Sequence, residues 1–133
     1  MPAGEFTVAT TRRHEMIDLT AKVELEVRAT GVTAGICILY NPHTTAALTI
    51  NEGADPDVRR DLLGALERIL PCDYPYQHAE GNSPAHLMTM LTGSSVTVLI
   101  HQGRLRLGTW QRIFFCEYDG PRDRTVWWKI LAG

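Results

Sequence analysis

Basic residues are not in excess in this chain: 13 lysines and arginines stand against 15 aspartates and glutamates, for a formal charge of -2. The phosphate-neutralising footprint of a nucleic-acid binder is therefore missing, and no nucleic-acid partner is expected. Long apolar runs are missing too. No segment nears the roughly 20 apolar residues of a membrane span, and the first residues hold no signal-peptide stretch, so no membrane partner is expected. Cysteine is scarce and unpatterned. Cys37, Cys72 and Cys116 form an odd set without C-x-x-C spacing, which argues against a zinc ribbon or a disulfide framework and for reduced thiols in a cytoplasm. There is no internal repeat and no low-complexity tract. With 44% hydrophobic and 21% charged residues, the composition is that of a globular protein, and the length fits one domain over residues 1–133.

The opening FTVATT alternates as a strand does. AKVELEVRAT (21–30) is two-sided: Val23, Leu25 and Val27 alternate, yet Thr20 suits an N-cap and Gly31 a helix stop, and the balance favours helix. GICILY (35–40) reads as a buried strand ended by Asn41-Pro42, with Cys37 as a small core residue. AALTI is a second strand, with Ala46, Leu48 and Ile50 on one face and Thr49 on the other. The clearest helix is DPDVRRDLLGALERIL (55–70), with Asp55 as N-cap, Pro56 in the first helical position and Pro71 as the stop. Its apolar stripe is read as Val58, Leu62, Leu66, Ile69 and Leu70. After the loop PCDYPYQHAEGNSP, a short helix AHLMTML is expected. SSVTVLI, GRLRLG, RIFFCEY and TVWWKIL then make a strand-rich second half, with Cys116 in the core and one of Trp127 and Trp128 facing outward. The predicted class is α+β: mostly antiparallel sheet, one long helix and one or two shorter helices.

Against this background NPHTTAALTINEGADPD (41–57) stands out, because it wraps a histidine, three threonines and three carboxylates around a small apolar insert. Such a segment delivers polar groups to a pocket. On this reading it presents His43, the following strand places Thr44 and Thr45 near it, and the acidic helix start, Asp55 and Asp57, lies close by. His78 and His86 also sit in turn-rich contexts, and a bend at Gly81-Asn82 brings their rings together. Three imidazoles with an open fourth position suit zinc or a similar divalent ion, with Glu80 or Glu52 as base. The spacing is not diagnostic, and hydrogen-bonded loop histidines are the alternative. His14 and His101 fit structural roles better. A second constellation is GTWQ (108–111) with Arg122. Trp110 offers a stacking face and Gln111 an amide for a planar ligand, and Arg122 a fork for phosphate or carboxylate. Turn chemistry at Asp119-Gly120-Pro121 and a core role for Trp110 are the competing readings.

PHTTAALTINE with DPDV and Asp61, HAEGNSPAH, and GRLRLGTWQRIFFCEYDGPR follow one another from residue 42 to residue 122. Together they resemble the YjbQ (UPF0047) family, also called the secondary thiamine-phosphate synthase family. The one visible departure is His101, where a proline or apolar residue is expected. The resemblance implies a compact α+β protein that forms homotrimers, with pockets at subunit boundaries and His43, His78 and His86 as a metal set. It also implies a weak thiamine-phosphate synthase activity, joining a pyrimidine diphosphate to a thiazole phosphate with loss of pyrophosphate. Three readings stand at this point. One is that synthase chemistry, with positive charge from Arg122, Arg104 or Arg106 for the leaving diphosphate. The second is a zinc-type hydrolase or lyase with Glu80 as proton carrier, which suits imidazole ligands better than magnesium does. The third is a non-catalytic trimeric module that binds a metal or a small ligand.

Overall fold

A computed structural model describes residues 2–133. In chain order its elements are β1 (Ala3–Ala9), β2 (Glu15–Asp18), α1 (Thr20–Thr30), β3 (Ala34–Tyr40), β4 (Ala46–Glu52), α2 (Pro56–Ile69), α3 (Ser83–Thr92), β5 (Ser95–His101), β6 (Arg104–Leu105), β7 (Gln111–Glu117) and β8 (Asp123–Ala132). The strands form two sheets, ordered β1-β8-β3-β5-β6 and β2-β7-β4, and every pairing is antiparallel. The α+β class read from the sequence is the class observed. No helix among the described residues is long and apolar enough to cross a membrane.

Alternation along the strands builds the core. Phe6 and Val8 of β1, Cys37 and Leu39 of β3, Val98 and Ile100 of β5, and Val126 and Ile130 of β8 point from the first sheet toward the second. Ala46, Leu48, Ile113 and Phe115 answer from β4 and β7. The other face of β4 and β7, with Ala47, Phe114 and Cys116, meets Met88 of α3 and Leu70 at the end of α2 in a second cluster. The second sheet is therefore apolar on both faces, as a middle layer must be. The outer face of the first sheet stays open, with Tyr40 stacked on Trp127 at 5.8 Å and Leu99 exposed farther along it, opposite Ile36. Of the tryptophan pair, Trp128 packs on the core and Trp127 faces outward, as alternation requires.

Helix α1 resolves the two-sided segment. Val23 and Val27, one turn apart, are buried, whereas Leu25 between them is 66% exposed, a spacing that only a helix produces. Thr20 is the first helical residue rather than the cap. Asp18 accepts its backbone N–H, and the Thr20 hydroxyl accepts from Ile113 N. Gly31, with φ of 72°, ends the helix as expected. In α2, Asp55 accepts from Asp57 N and Pro56 takes the first turn, again as expected. Its inward stripe is rotated from the expected one: Leu63, Leu66 and Leu70 face the sheet, while Leu62 and Ile69 are exposed. Helix α3 begins two residues before the expected start, at Ser83. Strand β2 was not visible as a separate element in the sequence.

Candidate functional site

Residues 41–45 leave β3 and enter β4 through a loop tied by Asn41. The buried Asn41 side chain accepts from His43 N at 3.1 Å and donates to the carbonyls of His43 and Ala46. This fixes His43 against β8, where its Nε2 accepts from Thr125 N at 2.9 Å. An Nε2 that accepts leaves the ring proton on Nδ1. Burial, followed by the adjacent Arg124 guanidinium, holds His43 below the ordinary histidine value despite the opposing charge of Glu117, so the neutral ring is favoured near pH 7.

One cleft of about 420 Å³ gathers His43, Thr44 and Thr45 with His78, Glu80, Asn82, His86, Arg122 and Arg124. His78 and His86 meet edge to face with centroids 5.4 Å apart, and Glu80 Oε2 lies 3.9 Å from His78 Nε2. Arg122 is braced by Asp119, donating from Nε to its carbonyl and from Nη2 to its carboxylate at 2.9 Å. Asp119 also accepts from Asn82 Nδ2 at 2.8 Å, which ties the start of α3 to the turn after β7. Asn82 Oδ1 is buried without a hydrogen-bond partner.

Beneath the cleft lies a buried ion pair. Arg124 donates Nε to Glu117 Oε1 at 2.8 Å and Nη2 to Oε2, to Thr45 Oγ1 and to the Thr45 carbonyl. Thr10 donates to Glu117 at 2.7 Å and Asp119 N donates to it at 3.0 Å. Burial alone would raise the Glu117 carboxyl, but these donors outweigh it and hold the group below the usual glutamate value. Glu117 neutralises Arg124, which leaves Arg122 as the half-exposed cation of the cleft, sharing it with Glu80 and three imidazoles.

Seven of the residues singled out in the sequence thus converge: His43, Thr44, Thr45, His78, Glu80, His86 and Arg122. Thr44 and Thr45 do so from the loop ahead of β4, not from the strand itself. Glu52, Trp110 and Gln111 do not join them within the chain. Glu52 pairs with Gln111 at one end of β4–β7, and Ala46, beside the cleft, pairs with Glu117 at the other. The seven-residue strand β7 separates them, roughly 20 Å at the rise of an extended chain. At that far end Glu52 accepts from Asp55 N, Gln111 accepts from Gly108 N, and the Trp110 ring is 62% exposed. Asp55 and Asp57 lie at that end as well, away from His43. Exposure also removes the core role considered for Trp110. Sequence reasoning missed Arg124 and Asn82. A signal for Arg124 existed: it falls on the same side of its strand as Val126, Trp128 and Ile130.

As a metal set the three histidines are unequal. His43 Nε2 already accepts a backbone N–H, and no three metal-ligating groups are assembled among the described residues. His78, His86 and Glu80 are the donors that face one another.

A family model described as "UPF0047 protein YjbQ-like" matches residues 4–133. The chain is 48% identical to UPF0047 protein YugU of Bacillus subtilis over 94% of its own length and 96% of that protein's. It is 42% identical to UPF0047 protein MJ1081 of Methanocaldococcus jannaschii over 96% and 93%. A Clostridium acetobutylicum crystal structure, titled an uncharacterized conserved protein of the yjbq/upf0047 family, superposes with a TM-score of 0.93 at 48% identity, covering 96% of this chain and 98% of that one. The hypothetical protein APE1520 of Aeropyrum pernix gives 0.93 at 41% identity, with both chains fully covered.

Proposed function

From the premise that the chain belongs to the YjbQ-like UPF0047 family, we propose that its His–Arg cleft binds a small phosphate-bearing ligand and supports group transfer of the thiamine-phosphate synthase type as a weak or secondary activity. The observation that carries this reading is the convergence of Arg122, His43 and Thr44 on one cleft above a self-neutralised Arg124–Glu117 pair. In that reaction the bond from the pyrimidine methylene to the diphosphate oxygen breaks, and the thiazole nitrogen bonds to the same carbon. Negative charge builds on the departing diphosphate. The Arg122 fork, the His43 Nδ1–H and the Thr44 hydroxyl are donors that stabilise it. Asp119 and Asn82 hold Arg122 at the cleft edge, so little ordering remains at the moment of reaction. A divalent ion, zinc by ligand type, would need His78, His86 and Glu80 to close around it, and would then add Lewis-acid stabilisation of the same charge.

A second reading, a zinc-type hydrolase or lyase, draws on Glu80 beside His78 as proton carrier. A non-catalytic binding role would keep ligand affinity without turnover. The same proposal includes a homotrimer, supported by the uncovered Tyr40–Trp127–Leu99 face of the first sheet, and a reducing cytoplasmic setting, supported by three free cysteines.

Calorimetric titration with pyrophosphate tests the cleft. Arg122→Ala should weaken binding about tenfold, the loss of one charge-assisted contact. Equal affinity in both proteins would remove Arg122 from the site. Release of pyrophosphate only when the pyrimidine diphosphate and the thiazole phosphate are both present would support transfer; release without the thiazole would favour the hydrolase.

A further inference from the structure

The sequence offers Arg104 of GRLRLG as a cation for a leaving diphosphate, yet Arg104 lies outside the His–Arg cleft. It lines a separate cavity of about 410 Å³ between α1, β6 and the start of β7. Ala21, Glu24, Leu25 and Arg28 of α1, Arg104 of β6 and Arg112 of β7 are among its walls. The volume falls within the roughly 300–1,000 Å³ of small-molecule sites.

The three arginines come from three different elements, and they are unequally satisfied. Arg112 is fixed. Its Nε donates to Asp18 Oδ2 at 2.8 Å, and its stem lies so close to Gly53 that a Cβ there would come within 2.1 Å of Arg112 Cγ. Burial would raise the Asp18 carboxyl, but donors from Thr20 and Arg112 outweigh it and hold the group below the usual aspartate value. Asp18 is therefore ionised near pH 7 and committed to Thr20 N and Arg112. Arg60, Arg122 and Arg124 likewise each hold a carboxylate. Arg28 and Arg104 are exposed and have no carboxylate partner among the described residues. The one carboxylate in the wall, Glu24, accepts from Leu105 N at 3.1 Å. One carboxylate against three guanidinium groups leaves this cavity positive in a chain whose net charge is -2.

We propose that this cavity is a second ligand site, which takes the phosphate head of a small organic phosphomonoester. Such a head carries about two negative charges at pH 7, matching the two guanidinium groups that lack a counter-charge. Arg112 is pre-set by Asp18 and Gly53, and Arg28 and Arg104 swing onto the remaining phosphate oxygens as planar forks suited to them. Leu25, exposed in the wall, gives the organic part an apolar surface to lie on. None of the walls belongs to the His–Arg cleft, so the proposal stands apart from the synthase reading.

Phenyl phosphate and benzyl alcohol, which share a ring and differ in the head, are the probes. Backbone amide shifts let each site report separately: Leu105 and Arg112 for this cavity, Thr44 and Asn82 for the cleft. Phenyl phosphate should shift Leu105 and Arg112 saturably, and benzyl alcohol should not. Arg28→Gln and Arg104→Gln should each weaken that response about tenfold, the loss of one charge-assisted contact. Ala21→Glu should abolish it, because it places a carboxylate in the wall with all three arginines intact. In the Arg28→Gln/Arg104→Gln double variant, the response of Thr44 to pyrophosphate should equal that of the wild type, which separates a failure here from a failure of the cleft. Equal phenyl phosphate affinity in the double variant, or shifts confined to the cleft amides, would overturn the proposal. Tighter binding of a hexaglutamate peptide than of phenyl phosphate would overturn it too, since the arginines would then belong to an interface with an acidic protein segment.

Discussion

Arg124→Met isolates the ion pair on which the cleft rests. Both partners are inside, Glu117 at 0% and Arg124 at 3% side-chain exposure. Removing the guanidinium deprives the carboxylate of two charged donors and leaves the Thr45 hydroxyl without its Arg124 contact, while the Thr45 carbonyl keeps Tyr118 N. Breaking a buried pair by deleting one partner costs about 3–5 kcal/mol, since the other charge is left uncompensated. Thr10 and Asp119 N still donate to Glu117, so the cost should sit at the low end, about 3 kcal/mol. At about 3 °C per kcal/mol for a chain of this length, the melting temperature should fall by roughly 10 °C. Urea unfolding at pH 7 measures the same loss, with an unchanged slope as the control. Glu117→Leu combined with Arg124→Met should recover most of it, because an apolar pair needs no compensation. A loss for Arg124→Met of only about 0.5 kcal/mol, the range of a surface change, would refute the buried-pair account.

The same pair sets an acid dependence. Glu117 is held below its ordinary value of 4.5 in the fold. A depressed carboxyl contributes its stability fully above the unfolded value and loses it as pH falls through the lower folded value. Stability of the wild type should therefore decline as pH drops below 4.5, and Glu117→Gln should decline less steeply over that window. Parallel acid limbs for the two proteins would contradict the assignment.

Two further outcomes test the placement of the site residues. Elemental analysis after incubation with zinc should show metal lost from His78→Ala and retained in His43→Ala, since the His43 Nε2 is taken by Thr125 N; loss from both would restore the three-histidine set. Trp110→Ala should shift the melting temperature by no more than about 1 °C, because an exposed ring leaves no cavity when removed; a drop of several degrees would mean the ring is packed.

How far the sequence could be read follows from which choices were local. Asp55-Pro56 and Pro71 bound α2 because caps and breakers act within one turn. Which side of α2 faces the sheet was not local. Val58, Leu62, Leu66 and Ile69 make as good a stripe as Leu63, Leu66 and Leu70, and only packing over Phe114 decides between them. Strand β2, EMID, is four residues long and shows no alternation, and it exists because β7 offers an edge. The cleft divides the same way. His43, His78, His86 and Arg122 were legible because turns with Asn, Pro and Gly present side chains rather than bury them. Glu52 looked like a neighbour of His43, and Trp110 and Gln111 like neighbours of Arg122, because sequence distance was the only ruler; the β4–β7 register puts Glu52 and Gln111 at the opposite end. Arg124 and Glu117 show what period-2 reading can still recover. Arg124 falls in phase with Val126 and Ile130, and Glu117 in phase with Ile113 and Phe115, so each charge occupies a core position of its strand. A cation and an anion on the core faces of two strands can stay charged there only by meeting, and their meeting point is where a polar cleft can be built into an apolar sandwich.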